Sequence, residues 1–348
     1  MRTLVRKDSD SRIVFLRPTT VSGTDTPSTL CLLSVSFPML PTLLKRLFDG
    51  LLVLWLTHLA VFIALRLQPG DPWADLAGDR TLPPAAVSKL KALYGHDGNI
   101  VSQYFQEVAA RLSGDFGQSL KIARGQDVTT LLAAAAPTSL AIGSGALLVG
   151  LMLGLWAGIS AARSRSLGRG RRDQAVRSLS TLAISLPDFV LGTALLLLLS
   201  LTLHWLPAGG LDTPTGLILP VLTLGLPLAA AVARLTSASL SEELLLDHVR
   251  TARAKGADEA RVVYEHALRP AAGPVIAYLA QAAAALLTGS LVVEALFALP
   301  GLGYFFVQGT LLQDWTVVSG AALLYTALLI TFNIIADLTL AWLDPRTR

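Results

Sequence analysis

The chain has 348 residues, of which 53% are hydrophobic and 15% are charged, and its formal net charge is +4. This composition argues against a soluble globular domain and is typical of proteins that cross a membrane several times. The single cysteine, Cys31, excludes an internal disulfide. No basic patch with interleaved aromatic residues indicates a nucleic-acid partner.

Residues 1–40 are rich in Ser, Thr and Pro and show no sustained apolar period. Such a stretch buries too little apolar surface to offset the entropy lost on ordering. We therefore interpret it as a disordered or mis-assigned N-terminal extension, placed ahead of a membrane domain at residues 41–348. Either Met1 or Met39 could begin the protein.

Six apolar stretches are each long enough to cross a hydrocarbon core of ~30 Å as a helix. They are about Leu47–Leu67, Leu131–Ala162, Leu179–Leu203, Gly216–Leu235, Pro274–Phe297 and Val317–Leu343. The sequence therefore predicts an all-α polytopic membrane protein with six transmembrane helices.

Arginines gather on one side of these predicted spans. The segment Arg163–Arg177 contains six arginines and one acid, Asp173. Because short basic loops stay in the cytoplasm, this segment and both termini are predicted to be cytoplasmic. Residues 68–130 then form an extracytoplasmic segment, and residues 236–273 form a cytoplasmic loop.

The second predicted span contains Gly150, Gly154 and Gly158 at every fourth position. This spacing places three small residues on one helix face. Small residues let helices approach closely in lipid. The pattern favours packing inside the bundle over dimerisation.

Polar side chains within the spans are candidates to line a translocation path. Asp188 follows a proline and could face a water-filled path or cap the helix that restarts there. Gln281, Thr288 and Glu294 lie along the fifth span. For His58 we favour a helix-interface hydrogen bond over a proton relay.

The cytoplasmic loop contains two helical patterns separated by a glycine. Small, apolar or aromatic-ring residues recur three or four positions apart at Val249, Ala252 and Gly256, and again at Val262, Val263, His266 and Ala267. Gly256 can adopt the positive φ that a turn between two helices requires. We predict two short amphipathic helices at an angle to each other, held at a membrane surface.

The same loop resembles the cytoplasmic loop of ABC-importer permeases, which has the pattern E-A-A-x3-G-x9-I-x-L-P and docks on an ATPase subunit. Aligned on Gly256, the E-A-A places hold Arg250, Thr251 and Ala252, and the I-x-L-P places hold His266, Ala267, Leu268 and Arg269. Although Pro270 comes one residue late, RTARAKG followed by HALRPA is very similar to the dipeptide/oligopeptide/nickel branch.

Four further phrases occur in the order expected for that branch. They are PGDP at 69–72, GDFG-S at 114–119, E-x-x-F-x-x-PGLG from Glu294, and WLDPR at 342–346. The resemblance implies a bundle like that of type I ABC importers. It also implies a coupling loop whose ATPase contacts include Arg250, Thr251, Ala252, Lys255, Gly256, His266, Leu268 and Arg269.

The resemblance further implies the partners and the location. These are a second homologous permease subunit, two cytoplasmic ABC ATPase subunits and an extracytoplasmic solute-binding protein, assembled in the lipid bilayer of a bacterial cytoplasmic (inner) membrane. The transported solute would be a di- or oligopeptide, or a nickel chelate.

The sequence contains no phosphate-binding loop, metal-ligand spacing or nucleophile motif. We therefore predict a protein that is not an enzyme and has no cofactor, with ATP hydrolysis supplied by separate subunits. The alternative is a secondary transporter in which Asp188, Glu294 or Asp337 couples the solute to an ion. A lack of inverted repeats counts against it. A membrane scaffold without transport is a third possibility.

Overall fold

The computed structural model describes residues 5–7, 13–15, 39–67, 99–166, 168, 170–288 and 290–343. Residues 1–40 form one unit and residues 41–348 form a second. In the first unit, strands β1 (Val5–Lys7) and β2 (Ile13–Phe15) pair antiparallel. A disordered or mis-assigned extension over residues 1–40 stays a prediction, and the PGDP phrase lies outside the described residues.

Helices account for most of the remaining described chain. In order they are α1 (Met39–Leu67), α2 (Ile100–Leu112), α3 (Val128–Ser166), α4 (Arg171–Ser185), α5 (Asp188–Leu195), α6 (Ile218–Glu243), α7 (Asp247–Ala254), α8 (Glu259–Arg261), α9 (Leu268–Ala271), α10 (Gly273–Thr288), α11 (Leu291–Leu296), α12 (Leu302–Leu312) and α13 (Trp315–Leu343). Two π-helices, Leu196–Thr202 and Val262–Ala267, continue α5 and α8.

Five stretches of the described chain are long and apolar enough to cross a membrane. They are Leu44–Leu67, Val128–Ser166, Thr215–Glu243, Gly273–Leu296 and Trp315–Leu340. A bent pair, Arg171–Ser185 with Asp188–Thr202, makes a sixth if it crosses as one span. The predicted all-α membrane bundle is confirmed. Its five spans correspond to five of the six apolar stretches of the sequence, and the bent pair corresponds to the sixth.

The third span differs from a continuous helix over Leu179–Leu203. Helices α4 and α5 meet at an angle of 105°, and Leu186 between them is extended, with φ −87° and ψ 131°. The cause is Pro187, because a proline disfavours helical backbone in the residue before it and has no N–H to donate.

Helices α3 and α6 pack closely against each other. All three glycines of the four-residue repeat are buried at this contact. A Cβ added to Gly154 would lie 2.6 Å from the Cβ of Val232 and 2.8 Å from the Ala229 carbonyl oxygen, and one added to Gly158 would lie 2.6 Å from the Cβ of Thr236. The prediction that these glycines pack inside the bundle is therefore confirmed.

Candidate functional site

The predicted loop at 236–273 is shorter than expected, because α6 continues to Glu243. The rest folds into two helical pieces, α7 and the α8–π–α9 run, which together we call the candidate coupling segment (Asp247–Ala271). Gly256 joins them with φ +86°. Its N–H donates to the Arg253 carbonyl at 3.0 Å, and the Ala257 N–H donates to the Ala252 carbonyl at 3.2 Å. This paired pattern is the Schellman ending, for which glycine is preferred.

The candidate coupling segment packs on the ends of α3 and α6 through its own apolar face. Val249, Val262, Val263 and Ala267 have no exposed surface, and Ala252 is almost fully buried. They form one cluster with Ala162, Leu240, Leu244 and Ala271. The segment is therefore packed against two membrane helices of the same chain.

Ala252 does not face outward, although the resemblance places it among the ATPase contacts. Its side chain lies in the cluster beneath the segment, against the membrane helices of the same chain. The reason is the spacing Val249 to Ala252, which puts both residues on the inner face of α7. Any effect of a charge at this position would therefore act first through the packing of α7 on α6.

His266 also departs from the predicted apolar face, because it is exposed while Val262, Val263 and Ala267 are buried. A regular helix would align His266 with Val262, four residues earlier. Residues Val262–Ala267 form a π-helix instead. Its i→i+5 period aligns Ala267 with Val262 and turns His266 away from the core.

An ion pair fixes the angle across the Gly256 turn. The Arg253 guanidinium donates to Glu259 through Nη2 at 2.9 Å and Nε at 3.2 Å, and each side chain is about one-third exposed. The same Arg253 donates to the Leu244 carbonyl at 3.4 Å. Through these contacts with Glu259 and Leu244, Arg253 joins α7 to α8 and to the end of α6.

The outward surface of the candidate coupling segment carries most of the residues that the resemblance predicts to contact an ATPase. Those exposed are Arg250, Thr251, Lys255, Gly256, His266 and Arg269, and Leu268 is half-buried. Three large apolar side chains that the sequence reasoning missed are also exposed: Tyr264 in the segment, and Leu245 and Leu246 directly before it. Apolar residues ringed by charges are typical of a protein–protein contact.

Two of the four predicted path residues lie together. Asp188 and Gln281 line a cavity of 380 Å³ with Tyr278 and Pro227, between α5, α6 and α10. Asp188 is exposed there, and among the described residues its carboxylate accepts no hydrogen bond, so it does not cap α5. The alternative in which Asp188 faces an open path is the one that this geometry favours.

The other two predicted path residues are buried elsewhere. The Thr288 hydroxyl donates to the Ala284 carbonyl within α10. Glu294 has no exposed surface, and its carboxylate accepts the Gly303 N–H at 2.8 Å. A Cβ on Gly301 would collide with the same carboxylate. Glu294 therefore organises the PGLG turn that leads into α12, which explains why the two phrases occur together.

A second buried carboxylate, Asp314, was not selected from the sequence. It accepts the Ser119 hydroxyl at 2.6 Å and the N–H groups of Lys121 at 2.9 Å, Ile122 at 3.1 Å and Leu120 at 3.1 Å. Burial alone would raise the pKa of Asp314, but these hydrogen bonds outweigh it and hold the pKa below its ordinary value. Asp314 thus anchors the GDFG-S phrase to the start of α13.

Two further polar side chains in the predicted spans, Asp337 and His58, contact other side chains of the chain. Asp337 pairs with Arg46 at 3.2 Å, with both side chains partly exposed. His58 is buried and stacks on Tyr104 at 5.4 Å. Neither ring nitrogen of His58 has a hydrogen-bond partner among the described residues, so the expected interface hydrogen bond is not found there.

Comparison with known proteins identifies a family and several similar permeases. Residues 150–348 match the family described as the binding-protein-dependent transport system inner membrane component. The chain is 38% identical over 312 residues to the oligopeptide transport system permease protein OppB of Haemophilus influenzae, an alignment that covers 89% of this chain and 100% of that protein. It is 36% identical over 310 residues to the dipeptide transport system permease protein DppB of Lactococcus lactis subsp. cremoris, again over 89% and 100%.

Among solved structures, the fold is similar to that of the methionine ABC transporter MetNI in its inward-facing conformations. The TM-score is 0.50 at 18% identity, over 62% of this chain and 97% of that chain. At this identity the likeness concerns the fold alone.

Proposed function

The chain belongs to the family of binding-protein-dependent transport system inner membrane components, and on that basis we propose that it forms the translocation path for di- or oligopeptides in an ATP-driven importer. It is a multi-pass protein of the inner membrane. The relatives named for oligopeptides and dipeptides support a peptide over a nickel chelate. The observation that carries the proposal is the rigidly packed coupling segment, hinged at Gly256.

The outward surface of the coupling segment is the proposed contact with an ABC ATPase. Nucleotide-driven movement of the ATPase would press on Thr251, Lys255 and the apolar side chains of Leu245 and Tyr264. The buried cluster beneath them would pass that movement to α3 and α6, since close-packed interiors transmit strain. ATP hydrolysis itself would be carried out by two such subunits and not by this chain.

The remaining partners complete the pathway. A second homologous permease subunit would close the open side of the cavity at Asp188, so that solute passes between the two chains. An extracytoplasmic solute-binding protein would deliver the peptide to the outer mouth. Asp188 and Gln281 offer a carboxylate and an amide that can hydrogen-bond a peptide's ammonium and backbone groups.

This arrangement requires the coupling segment, Arg163–Arg177 and both termini to be cytoplasmic, with residues 68–130 outside. Cysteine labelling in a Cys31→Ser background tests the orientation. Ser166→Cys should react only after cells are permeabilised, and Ser102→Cys should react in intact cells. The reverse pattern would contradict the topology and, with it, the docking of ATPases on this segment.

Uptake in cells tests the function. A strain lacking this chain should lose uptake of a labelled tripeptide and keep uptake of a labelled free amino acid, which is the matched control for general energisation. Expression of the full chain should restore tripeptide uptake. Unchanged tripeptide uptake in the deletion strain, with other peptide importers also removed, would refute the proposal.

A further inference from the structure

A basic pocket lies at the end of α3, away from both the coupling segment's outer surface and the Asp188 cavity. Its volume is 620 Å³, and its lining residues are Ser160, Arg163, Ser164, Gly168, Gly170, Arg171 and Arg172. Three arginines and two serines therefore line one concave space. Guanidinium groups bind phosphate oxygens through two parallel N–H donors.

The charges of this pocket are not neutralised from within the chain. The acid nearest in sequence, Asp173, is taken by Arg165 at 2.7 Å and Arg177 at 3.1 Å, with the Ser237 hydroxyl at 3.3 Å. Among the described residues, no Asp or Glu forms an ion pair with any of the three pocket arginines. The charges of these three arginines are thus available to an external anion.

The backbone adds to this positive potential. Helix α4 begins at Arg171, and its cap, Gly170, has no side chain to accept the first N–H groups. The N-terminal end of a 15-residue helix carries a partial positive charge. A Cβ built on Gly168 or Gly170 would meet nothing within 4 Å, so the space at this end is open to a ligand.

An apolar stripe leads from the pocket along the membrane part of α3. Met152 and Trp156 are 61% and 73% exposed. Ser160 and Arg163 follow at spacings of four and three, which keeps all four on one face of the helix. This face lies opposite Gly154, which packs on α6. A ligand with a phosphate head and an acyl tail fits both the pocket and the stripe.

We propose that the basic pocket binds the phosphodiester headgroup of an anionic phospholipid, with its acyl chains lying on Met152 and Trp156. A plain surface of topogenic arginines would need no cavity. The pocket would hold a lipid against α3 and the first turn of α4, at the opposite end of α4 from the 105° bend. The source of the anion is the inner-leaflet lipid, and not a soluble phosphate.

Lipid retention by the purified full-length chain tests the proposal. The chain is exchanged into nanodiscs of equal parts phosphatidylglycerol and phosphatidylcholine, released into mild detergent, and its bound lipids are counted by native mass spectrometry. Wild type should retain phosphatidylglycerol preferentially. Each arginine changed to glutamine at 163, 171 and 172 should reduce that preference by about fivefold, the effect of one basic residue at an anionic surface.

The matched control removes three exposed positive charges elsewhere, with Lys45→Gln, Arg234→Gln and Arg261→Gln. Its lipid preference should equal that of the wild type. Equal loss in both variants would show a general charge effect and overturn the proposal. Ser166→Cys labelling checks that the pocket variant, which still has Arg165, Arg169 and Arg177 in this loop, keeps its orientation.

Two further measurements distinguish other occupants of the basic pocket. Inorganic phosphate in millimolar excess should leave the bound phosphatidylglycerol in place, because the acyl chains add contacts that phosphate lacks. Displacement by phosphate would reassign the pocket to a soluble anion. If the pocket variant loses ATPase association but keeps the wild-type lipid preference, the pocket is a protein contact and the lipid proposal is wrong. The assay requires no transport, so its failure leaves the proposed peptide path untouched.

Discussion

Replacing Gly256 with alanine tests whether the coupling segment works as a lever with a fixed angle. Because an added Cβ would meet nothing within 4 Å, the substitution introduces no collision. Its cost is the backbone strain of a non-glycine residue at φ +86°, which is about 1–2 kcal/mol. That cost lowers the population of the native turn relative to relaxed alternatives by about five- to thirtyfold.

We expect Gly256→Ala to reach the membrane in normal amounts but to show reduced peptide uptake and weaker co-purification with the ATPases. Gly114→Ala is the matched control, since Gly114 has φ +82° and an added Cβ there would also meet nothing within 4 Å. Both variants should lose similar thermal stability, but only Gly256→Ala should lose coupling. Wild-type uptake and ATPase association in Gly256→Ala would refute the lever.

Three other changes probe separate parts of the structure. Gly154→Ala should destabilise the purified chain by about 1–3 kcal/mol through overpacking on α6. Gly273→Ala, whose Cβ meets nothing within 4 Å, should not destabilise it. Equal melting temperatures of the two variants would contradict the close packing. Asp314→Asn should cost about 1–3 kcal/mol at neutral pH. The pKa of Asp314 is lowered in the folded state. The wild type should therefore keep the stability contributed by Asp314 above pH ~3.9 and lose it as the pH falls through the folded pKa. An unchanged melting curve for Asp314→Asn would exclude the anchor. Asp188→Asn should raise the KM of peptide uptake about tenfold at normal membrane abundance, and an unchanged KM would remove Asp188 from the path.

An exposed acid without a partner would tolerate glutamine without effect, but Glu259 belongs to the ion pair across the turn. Its two-point contact with Arg253 links α7 to α8, so a double-mutant cycle with Arg253→Gln should give a coupling energy near the upper end of about 0.2–1 kcal/mol. A coupling energy of zero would show that the turn alone sets the angle.

The spans, the glycine hinge and the relationship to oligopeptide and dipeptide permeases could be predicted because each depends on local pattern. Apolar length identifies a span, and a glycine between two helical periods identifies a turn. The WLDPR and PGLG phrases likewise depend on adjacent residues only. The apolar spans, the turn at Gly256 and the relationship to known permeases are confirmed.

The sequence could not predict which residue, far away along the chain, a buried polar side chain contacts. Asp314 and Ser119 are 195 positions apart, and nothing in the local pattern of either residue indicates the other. Glu294 was predicted only as a path residue, although Gly303 is nine positions away in the same phrase, because the phrase does not show that the carboxylate accepts this backbone N–H. The π-helix that turns His266 outward is also set by packing, not by periodicity.

The most direct test of ATP-driven peptide import is uptake into proteoliposomes. The chain is reconstituted with the proposed second permease, the ATPases and the solute-binding protein, and a labelled tripeptide is supplied on the binding-protein side. We predict uptake that requires ATP on the ATPase side and persists when ionophores abolish proton and sodium gradients. Uptake that ignores ATP and stops when the gradients are abolished would identify a secondary transporter and contradict the account.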